Sequence, residues 1–373
     1  MNVVICGAGV IGAAIAYYLS LRGVTATVVE CCDIACAASG KSAGFLALDW
    51  CDGTPMEALA RESYALHAGL AESLGTDYGY RPVETFQVSS SGSREVRRFS
   101  RLAPPGWLDG NCAVDAALGN EGTTAQLHPE RFTRALLDAA IAGGASLRHG
   151  KVSGIELGSG GTKVTGVQIG GEIFPADTVI IAMGPWSRTA ASWLPLPMVS
   201  GLKSHSILIR PTVPVPAQAL FVEFVSDPGG SRSPEIVPRA DGDVYVCGIS
   251  DEQPLPEDPS RVTVGDTACD ELHALSGMLS TALEQGEVVR RQACYRPVCA
   301  DALPIMGKVP GVTGAYVASG HNCWGMLNAP ASGRVMAELI VNGTSRSIDL
   351  SPFDPARLPR LARHAVASDV LNS

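Results

Sequence analysis

Charge is scarce in this chain: Asp, Glu, Lys and Arg make up 17% of its 373 residues, and its 28 basic residues form no run. With a net charge of −9, it lacks the basic surface that nucleic acid or an anionic membrane would attract. No internal repeat is found, and aromatic residues are few at 6%. The eleven cysteines show no CxxC…CxxC spacing, so no metal-ligand framework is encoded. Their odd number and the adjacent pair Cys31-Cys32 make a poor disulfide framework. Reduced thiols, most of them serving as small buried hydrophobes, are expected instead. The apolar run Val3–Leu21 has no basic segment before it, which excludes a secretory signal. A strand opening at Asn2 leaves no room within this chain for a targeting peptide. The cytoplasm is therefore expected, or an organelle if a transit peptide has been removed.

What the chain does contain is length enough for two domains and a charge-free opening with three glycines. Asn2–Cys6 reads as a short buried strand, GAGVIG supplies GxGxxG, and Ile11–Leu21 continues as an Ala-rich helix. Arg22-Gly23 stops that helix, and the strand Thr25–Val29 ends at Glu30, where an acid would meet a ribose hydroxyl pair. Gly7 permits the tight turn, Gly9 lets backbone approach a pyrophosphate, and Gly12 lets helix pack on strand. The helix N-terminus offers unpaired N–H groups and partial positive charge to phosphates. The whole unit predicts dinucleotide binding and rules out a membrane span.

Three later segments bear on which dinucleotide. CAASGKSAGFLA (Cys36–Ala47) is small, polar and glycine-bearing; it either wraps a ligand through backbone N–H groups or is an ordinary surface loop. Strands over Thr162–Ile169, Glu172–Phe174 and Thr178–Ala182 lead to Met183-Gly184-Pro185-Trp186, at the carboxyl edge where α/β sheets bind ligands. In YVASGHNCWGMLNAPASG a strand enters a Gly-His loop and then a helix from about Met326 to Val341, capped by Asn342-Gly343. That helix N-terminus would suit negative charge on a reduced flavin, and the loop would have no role in a plain NAD dehydrogenase.

In these four ordered places the chain resembles the FAD-dependent D-amino-acid oxidase superfamily, on the branch of glycine oxidase and monomeric sarcosine oxidase. The motifs are GAGVIG with Glu30, SGKSAGFLA, VIIAMGPWS, and YRPVCADALPIMG followed by GHNCWGMLNAPASG. The resemblance spans the chain. It implies an α/β fold in which a Rossmann-type FAD-binding domain is interleaved with a mixed β-sheet substrate domain, the glutathione-reductase-2 arrangement. The FAD domain would take residues 1–45, 125–200 and 295–373, and the substrate domain 46–124 and 201–294. Thr263–Leu283 reads as a surface helix, Pro254–Arg261 as a connector, and the segment after Ile348 as a surface extension.

Carried over residue by residue, the resemblance assigns Gly7, Gly9, Val10, Ile11, Gly12 and Glu30 to the ADP part of FAD. Ser39, Lys41, Ser42, Ala43, Gly44 and Phe45 would meet pyrophosphate and flavin, Val152 adenine, and Gly184 and Trp186 the sheet edge. Gly320, His321, Asn322, Cys323, Trp324, Gly325, Met326 and Leu327 would line the flavin's pyrimidine side. The implied reaction is oxidation of a C–N bond in a small amine, amino acid or cyclic imino acid by hydride transfer to flavin N5. Oxygen would be the acceptor, giving imine and hydrogen peroxide. A dehydrogenase with another acceptor, or a regulatory flavoprotein with weak turnover, are the alternatives.

Such a site needs an arginine for a carboxylate. Arg296 either fills that role or is a core-edge arginine paired with Asp301. The second arginine of glycine oxidase is absent, since its place reads Asn322-Cys323-Trp324. This points to a larger or more aromatic-compatible ligand, on which Trp324 would stack unless it belongs to the core. His205 and Tyr245 are further candidates for contact with substrate. Cys294 aligns with the thioether attachment of sarcosine oxidases; non-covalent FAD is favoured and a covalent link through Cys294 is the alternative. The oxygen-activating lysine of sarcosine oxidases has no counterpart in Asp243–Gly248; reaction with oxygen is then either slow or reliant on Lys41 or Lys203.

Overall fold

The computed structural model describes residues 1–92, 95–224 and 231–361. Its first sheet has six strands in the order Ile305–Lys308, Ala315–Ser319, Thr178–Ile181, Val3–Cys6, Ala26–Glu30, Ser146–His149. All neighbours are parallel except the edge pair Ile305–Lys308 and Ala315–Ser319. The central strands Val3–Cys6 and Thr178–Ile181 are buried at every residue. Continuous β-branched runs such as VVI and VII suit a parallel sheet covered on both faces. Helices Val10–Ser20, Pro129–Ala142 and Gly325–Asn342 pack one face around Ile5, Ile15, Phe132 and Met336. The antiparallel sheet of Val152–Leu157, Val164–Ile169 and Glu172–Pro175 covers the other.

A second, seven-stranded sheet runs Glu287–Val298, Ser200–Arg210, Val244–Asp251, Glu235–Pro238, Gln218–Phe224, Glu84–Ser90, Cys112–Gly119. Only Gln218–Phe224 and Glu84–Ser90 run parallel. The boundary expected at 294/295 thus falls inside a single strand. Alternation gives the sheet two distinct faces. Ile207, Ile209, Leu220, Ile236 and Val246 join Cys269, Leu272, Leu279 and Leu283 in one core, so the helices Asp266–Gly277 and Thr281–Glu284 blanket the back. Thr263–Leu283 is therefore not a free surface helix, as expected from sequence, but the cover of this sheet. The intervening residues Leu208, Val237 and Tyr245 pack on the front with Phe45 and Ala43.

The helix Gly325–Asn342 contains Pro330, which has no N–H for the carbonyl of Met326. The neighbouring helix Glu57–Ser73 repairs the gap. His67 Nε2 lies 3.1 Å from the carbonyl oxygens of both Met326 and Leu327, and because these only accept, Nε2 carries the hydrogen. Ser63 Oγ, one turn earlier, accepts from Ala331 N–H at 3.1 Å. A proline in a helix is thereby tolerated, and the helix N-terminus is fixed in direction. Past that helix, Phe353 is buried and Arg357 grips Asp301 through Nε at 2.7 Å and Nη2 at 3.0 Å. The segment after Ile348 is docked at least to residue 361; its expected continuation over 362–373 lies outside the described residues.

Candidate active site

One cavity of about 610 Å³ runs between the carboxyl edge of the first sheet and the front of the second, within the size range of small-molecule and cofactor sites. At one end lies the βαβ turn. Gly7 has φ +112°, and a Cβ there would sit 2.4 Å from the Ala182 carbonyl oxygen. Only glycine fits between two strand ends at that distance. The Glu30 carboxylate accepts from Ala8 N–H at 2.7 Å and Cys32 N–H at 3.0 Å. Its weakest donor is the Cys31 thiol at 3.5 Å. Ser39 Oγ accepts from Val10 N–H at 2.9 Å, closing the loop after residue 36 onto the helix N-terminus. This arrangement fits the ADP portion of a dinucleotide: a carboxylate for the ribose, and N–H groups with close-approach glycine for the pyrophosphate.

The loop is tied to the second sheet as well. Lys41 Nζ donates to the Ala293 carbonyl at 3.1 Å, Tyr245 Oη to the Lys41 carbonyl at 3.1 Å, and Arg239 Nη2 to the Ser42 carbonyl at 2.9 Å. Lys41 is thus engaged with backbone, and Tyr245 turns its hydroxyl toward the loop backbone. Trp186 donates from Nε1 to Pro256 at 2.7 Å, anchoring the connector whose Glu257 and Pro259 also line the cavity.

Of the residues singled out from sequence, Gly7, Gly9, Val10, Ile11, Glu30, Ser39, Ser42, Ala43, Gly44, Phe45, Val152, Gly184 and Trp186 line this cavity. So do Tyr245, Cys294, Arg296, His321, Asn322, Cys323, Trp324, Gly325 and Met326. Gly12, Gly320 and Leu327 stand behind the wall: Gly12 against Gly7, Gly320 against Cys299, and Leu327 buried with its carbonyl on His67. His205 is a correction. It shares the parity of Ile207 and Ile209 and lies on the back of the sheet, with its ring against Gly265 and 3.6 Å from the Asp251 carboxylate. Lys203 lies on the same back face, buried, with Nζ 2.6 Å from Gln253 Oε1 and 3.2 Å from Asp251. Neither lines the cavity. Asp301 is taken by Arg357, so the alternative pairing expected for Arg296 is not formed.

Arg296 instead enters the cavity, with Nε buried and donating to nothing. Around it the sheet places residues that sequence did not single out: Glu235, Cys247, Phe221 and, from the loop after Ala47, Trp50. Glu235 is the front-facing neighbour of Ile236, an alternation the short EIVP segment carries but does not announce. Phe45, Trp50, Phe221 and Trp324 form an edge-to-face aromatic group, with centroids 4.7 Å apart for Trp50–Phe221 and 6.3 Å for Trp50–Trp324. Burial pushes the Cys294 thiol up to about 11, against the pull of Lys41 and Arg296. All eleven cysteines are free. Among the described residues no cluster suits a metal ion, and no helix is long and apolar enough to cross a membrane.

Two buried imidazoles brace the helix that faces the cavity. Burial lowers His67 to about 4 and His321, bonded to Ser332 Oγ at 3.0 Å, to about 3. Between about 4 and their ordinary value of 6.5 both are neutral in the fold and gain a proton on unfolding. The unfolded chain then binds more protons, so stability falls as pH drops from about 6.5 toward 4, by up to about 2.7 kcal/mol per pH unit. Urea denaturation at pH 7 and pH 5 measures this; His128, which burial also lowers to about 4, adds to the slope, so His67→Gln should remove at most about 1.4 kcal/mol per pH unit, roughly a third of the whole. An unchanged slope would exclude His67 as the titrating group.

A glycine-bearing βαβ turn, an acid at the end of the second strand and a cavity at the sheet's carboxyl edge define a dinucleotide-binding oxidoreductase architecture. The chain belongs to the FAD-dependent oxidoreductase (DAO) family, whose model matches residues 2–339. The C1F5.03c protein of Schizosaccharomyces pombe, described as an oxidoreductase, is 30% identical over 95% of this chain and 97% of its own length. Glycine oxidase of Geobacillus kaustophilus is 27% identical over 95% and 97% respectively. The solved structure of that enzyme superposes with a TM-score of 0.76 over 95% of this chain and 98% of its own, also at 27% identity. L-proline dehydrogenase of P. horikoshii shares the fold, with a TM-score of 0.74 at 20% identity over 95% and 97%. The fold is thus mixed α/β with a Rossmann-like FAD domain, and membership of the family implies FAD.

Proposed function

We propose that this protein oxidises the C–N bond of an amine or amino acid that carries a carboxylate, with oxygen as electron acceptor and imine and hydrogen peroxide as products. The observation that carries the reading is Arg296: a guanidinium with an unused buried Nε, in the same cavity as the dinucleotide turn. Bound FAD supplies the hydride acceptor. The chain's own residues bind and orient. Gly7, Gly9 and Glu30 hold the ADP portion, the Ser39–Phe45 loop closes over it, and the helix starting at Gly325 directs its N-terminus at the opposite end. Arg296 takes the carboxylate with paired N–H donors. The aromatic group around Trp324 excludes water and flanks the substrate. We assign the six-stranded sheet and its helices to cofactor binding and the seven-stranded sheet to substrate binding.

A second reading, a dehydrogenase that uses another acceptor, is favoured by the lysines. Lys203 lies on the back of the sheet, and Lys41 is held by the Ala293 carbonyl. The high thiol pKa of Cys294 supports non-covalent FAD, because the thiolate is the form that would bond.

An anaerobic screen of amines, amino acids and imino acids against the yellow holoprotein tests the reaction. Bleaching of the flavin band by a carboxylate-bearing amine is expected, and admission of air should then give one peroxide per substrate consumed. Acid precipitation of the same sample should release all colour to the supernatant. If no compound bleaches the flavin, the proposed reaction is wrong; bleaching without peroxide selects the dehydrogenase.

A further inference from the structure

Beside Arg296 the cavity holds a carboxylate that the proposed reaction does not use. Glu235 sits on the strand Glu235–Pro238, paired across the sheet with Phe221 on one side and Cys247 on the other. It faces the front, since its neighbour Ile236 belongs to the core behind the sheet. Its hydrogen-bond partner is the Cys247 thiol at 3.7 Å, a weak donor. Among the described residues no cation lies within ion-pair distance of it. Burial raises its pKa, and Arg296 is the nearest cation pulling it down. Phe221, its partner on the next strand, lines the same cavity together with Trp50 and Trp324.

A charged carboxylate in this position costs stability, because a charge withdrawn from water without a close partner is unfavourable. It also weakens the site for a ligand that is only an anion. The charge of Arg296 is offset nearby, so a simple carboxylate gains less from entering. A ligand carrying a cation as well recovers both losses, and aromatic faces add cation–π attraction. The cation so held is not the amine to be oxidised. Oxidation needs that amine neutral, and a neighbouring carboxylate would hold its proton on.

We propose that the substrate of this cavity bears, besides its carboxylate and its reacting amine, a second cationic group that binds Glu235 against the aromatic wall: the substrate class is amino acids with a distal ammonium or equivalent cation. This rests on the reading of Arg296 as the carboxylate anchor. It makes Glu235 a specificity-determining residue and accounts for a site that departs from glycine oxidase at Asn322-Cys323-Trp324.

The test uses the holoprotein and ligands with no amine beside the carboxylate, titrated anaerobically with the flavin spectrum and heat of binding as readouts. Pentanoate is compared with β-aminopropanoate, δ-aminopentanoate and ε-aminohexanoate. One of the aminoalkanoates should bind at least about tenfold more tightly than pentanoate, about 1.4 kcal/mol. In Glu235→Gln that advantage should shrink to roughly twofold or less with pentanoate binding undiminished. The comparison in the unaltered protein stands alone should the variant lose its flavin. If pentanoate binds as tightly as every aminoalkanoate, if Glu235→Gln keeps the preference, or if neither class binds, the inference is overturned. Tight binding of an aminoalkanoate with no amine able to bleach the flavin would instead overturn the proposed reaction and leave Glu235's role standing.

Discussion

Gly12→Ala is expected to purify colourless. A Cβ at residue 12 would lie 2.0 Å from the carbonyl oxygen of Gly7 and 3.3 Å from Ile5 Cγ2. The first of these contacts is with backbone, so no rotamer change relieves it. Gly7 cannot retreat either, because its N–H bonds Val29 O at 2.8 Å and its own positive φ and close packing on Ala182 fix the turn. The helix Val10–Ser20 must therefore lift from the strand, and its N-terminal N–H groups move off the line along which they meet a pyrophosphate. Overpacking of this kind costs about 1–3 kcal/mol of stability; the loss of cofactor affinity comes on top. The measurement is the ratio of flavin to protein absorbance, before and after incubation with FAD. Gly69→Ala is the control. Nothing lies within 4 Å of a Cβ there, so it should keep its flavin and gain about 0.5–1 kcal/mol from helix propensity. Wild-type flavin content in Gly12→Ala would show that this turn does not seat the cofactor.

Arg296→Ala should cut kcat/KM for carboxylate-bearing amines by about 2–5 kcal/mol, roughly thirty- to several-thousand-fold. The cost has two parts. The substrate's carboxylate loses its paired donors, and Glu235, already raised by burial and held down by Arg296, loses its nearest countercharge. Amines without a carboxylate should lose far less, because only the second part affects them. Arg296→Lys should recover a fraction, since a point charge replaces a planar fork. Steady-state rates on matched amines with and without the carboxylate read the difference. Equal losses for both would remove Arg296 as the anchor.

Residue types and short spacings were enough for the first βαβ unit, for Glu30 at its end and for the ordered motifs that identify the family. Each of these is decided locally. A turn such as the one at Gly7 admits almost only glycine, a helix must begin after it, and an acid at the next strand end is fixed by chain length alone. The long helix was legible for the same reason, although its tolerance of Pro330 was not, because the repair comes from His67 and Ser63 some 260 residues earlier.

The faces of the seven-stranded sheet were not legible. Ile207-Leu208-Ile209 is apolar at every position, so the run shows no alternation, and whether His205 or Ser204 meets a ligand depends on which side the helices over Asp266–Glu284 cover. The bulge between His205 and Ser206, opposite Gly248, hides the parity further. A slip of one residue exchanges the two faces of a strand, and only pairing with distant strands prevents it. For that reason Glu235, Phe221 and Cys247 emerged from tertiary structure alone, as did Trp50, which a loop carries to them. Sequence by itself determined the glycine-bearing βαβ turn and the acid that follows it, through backbone conformations that few residues can adopt. Tertiary structure decided which side chains surround Arg296, because strand register and sheet coverage are set by contacts far along the chain.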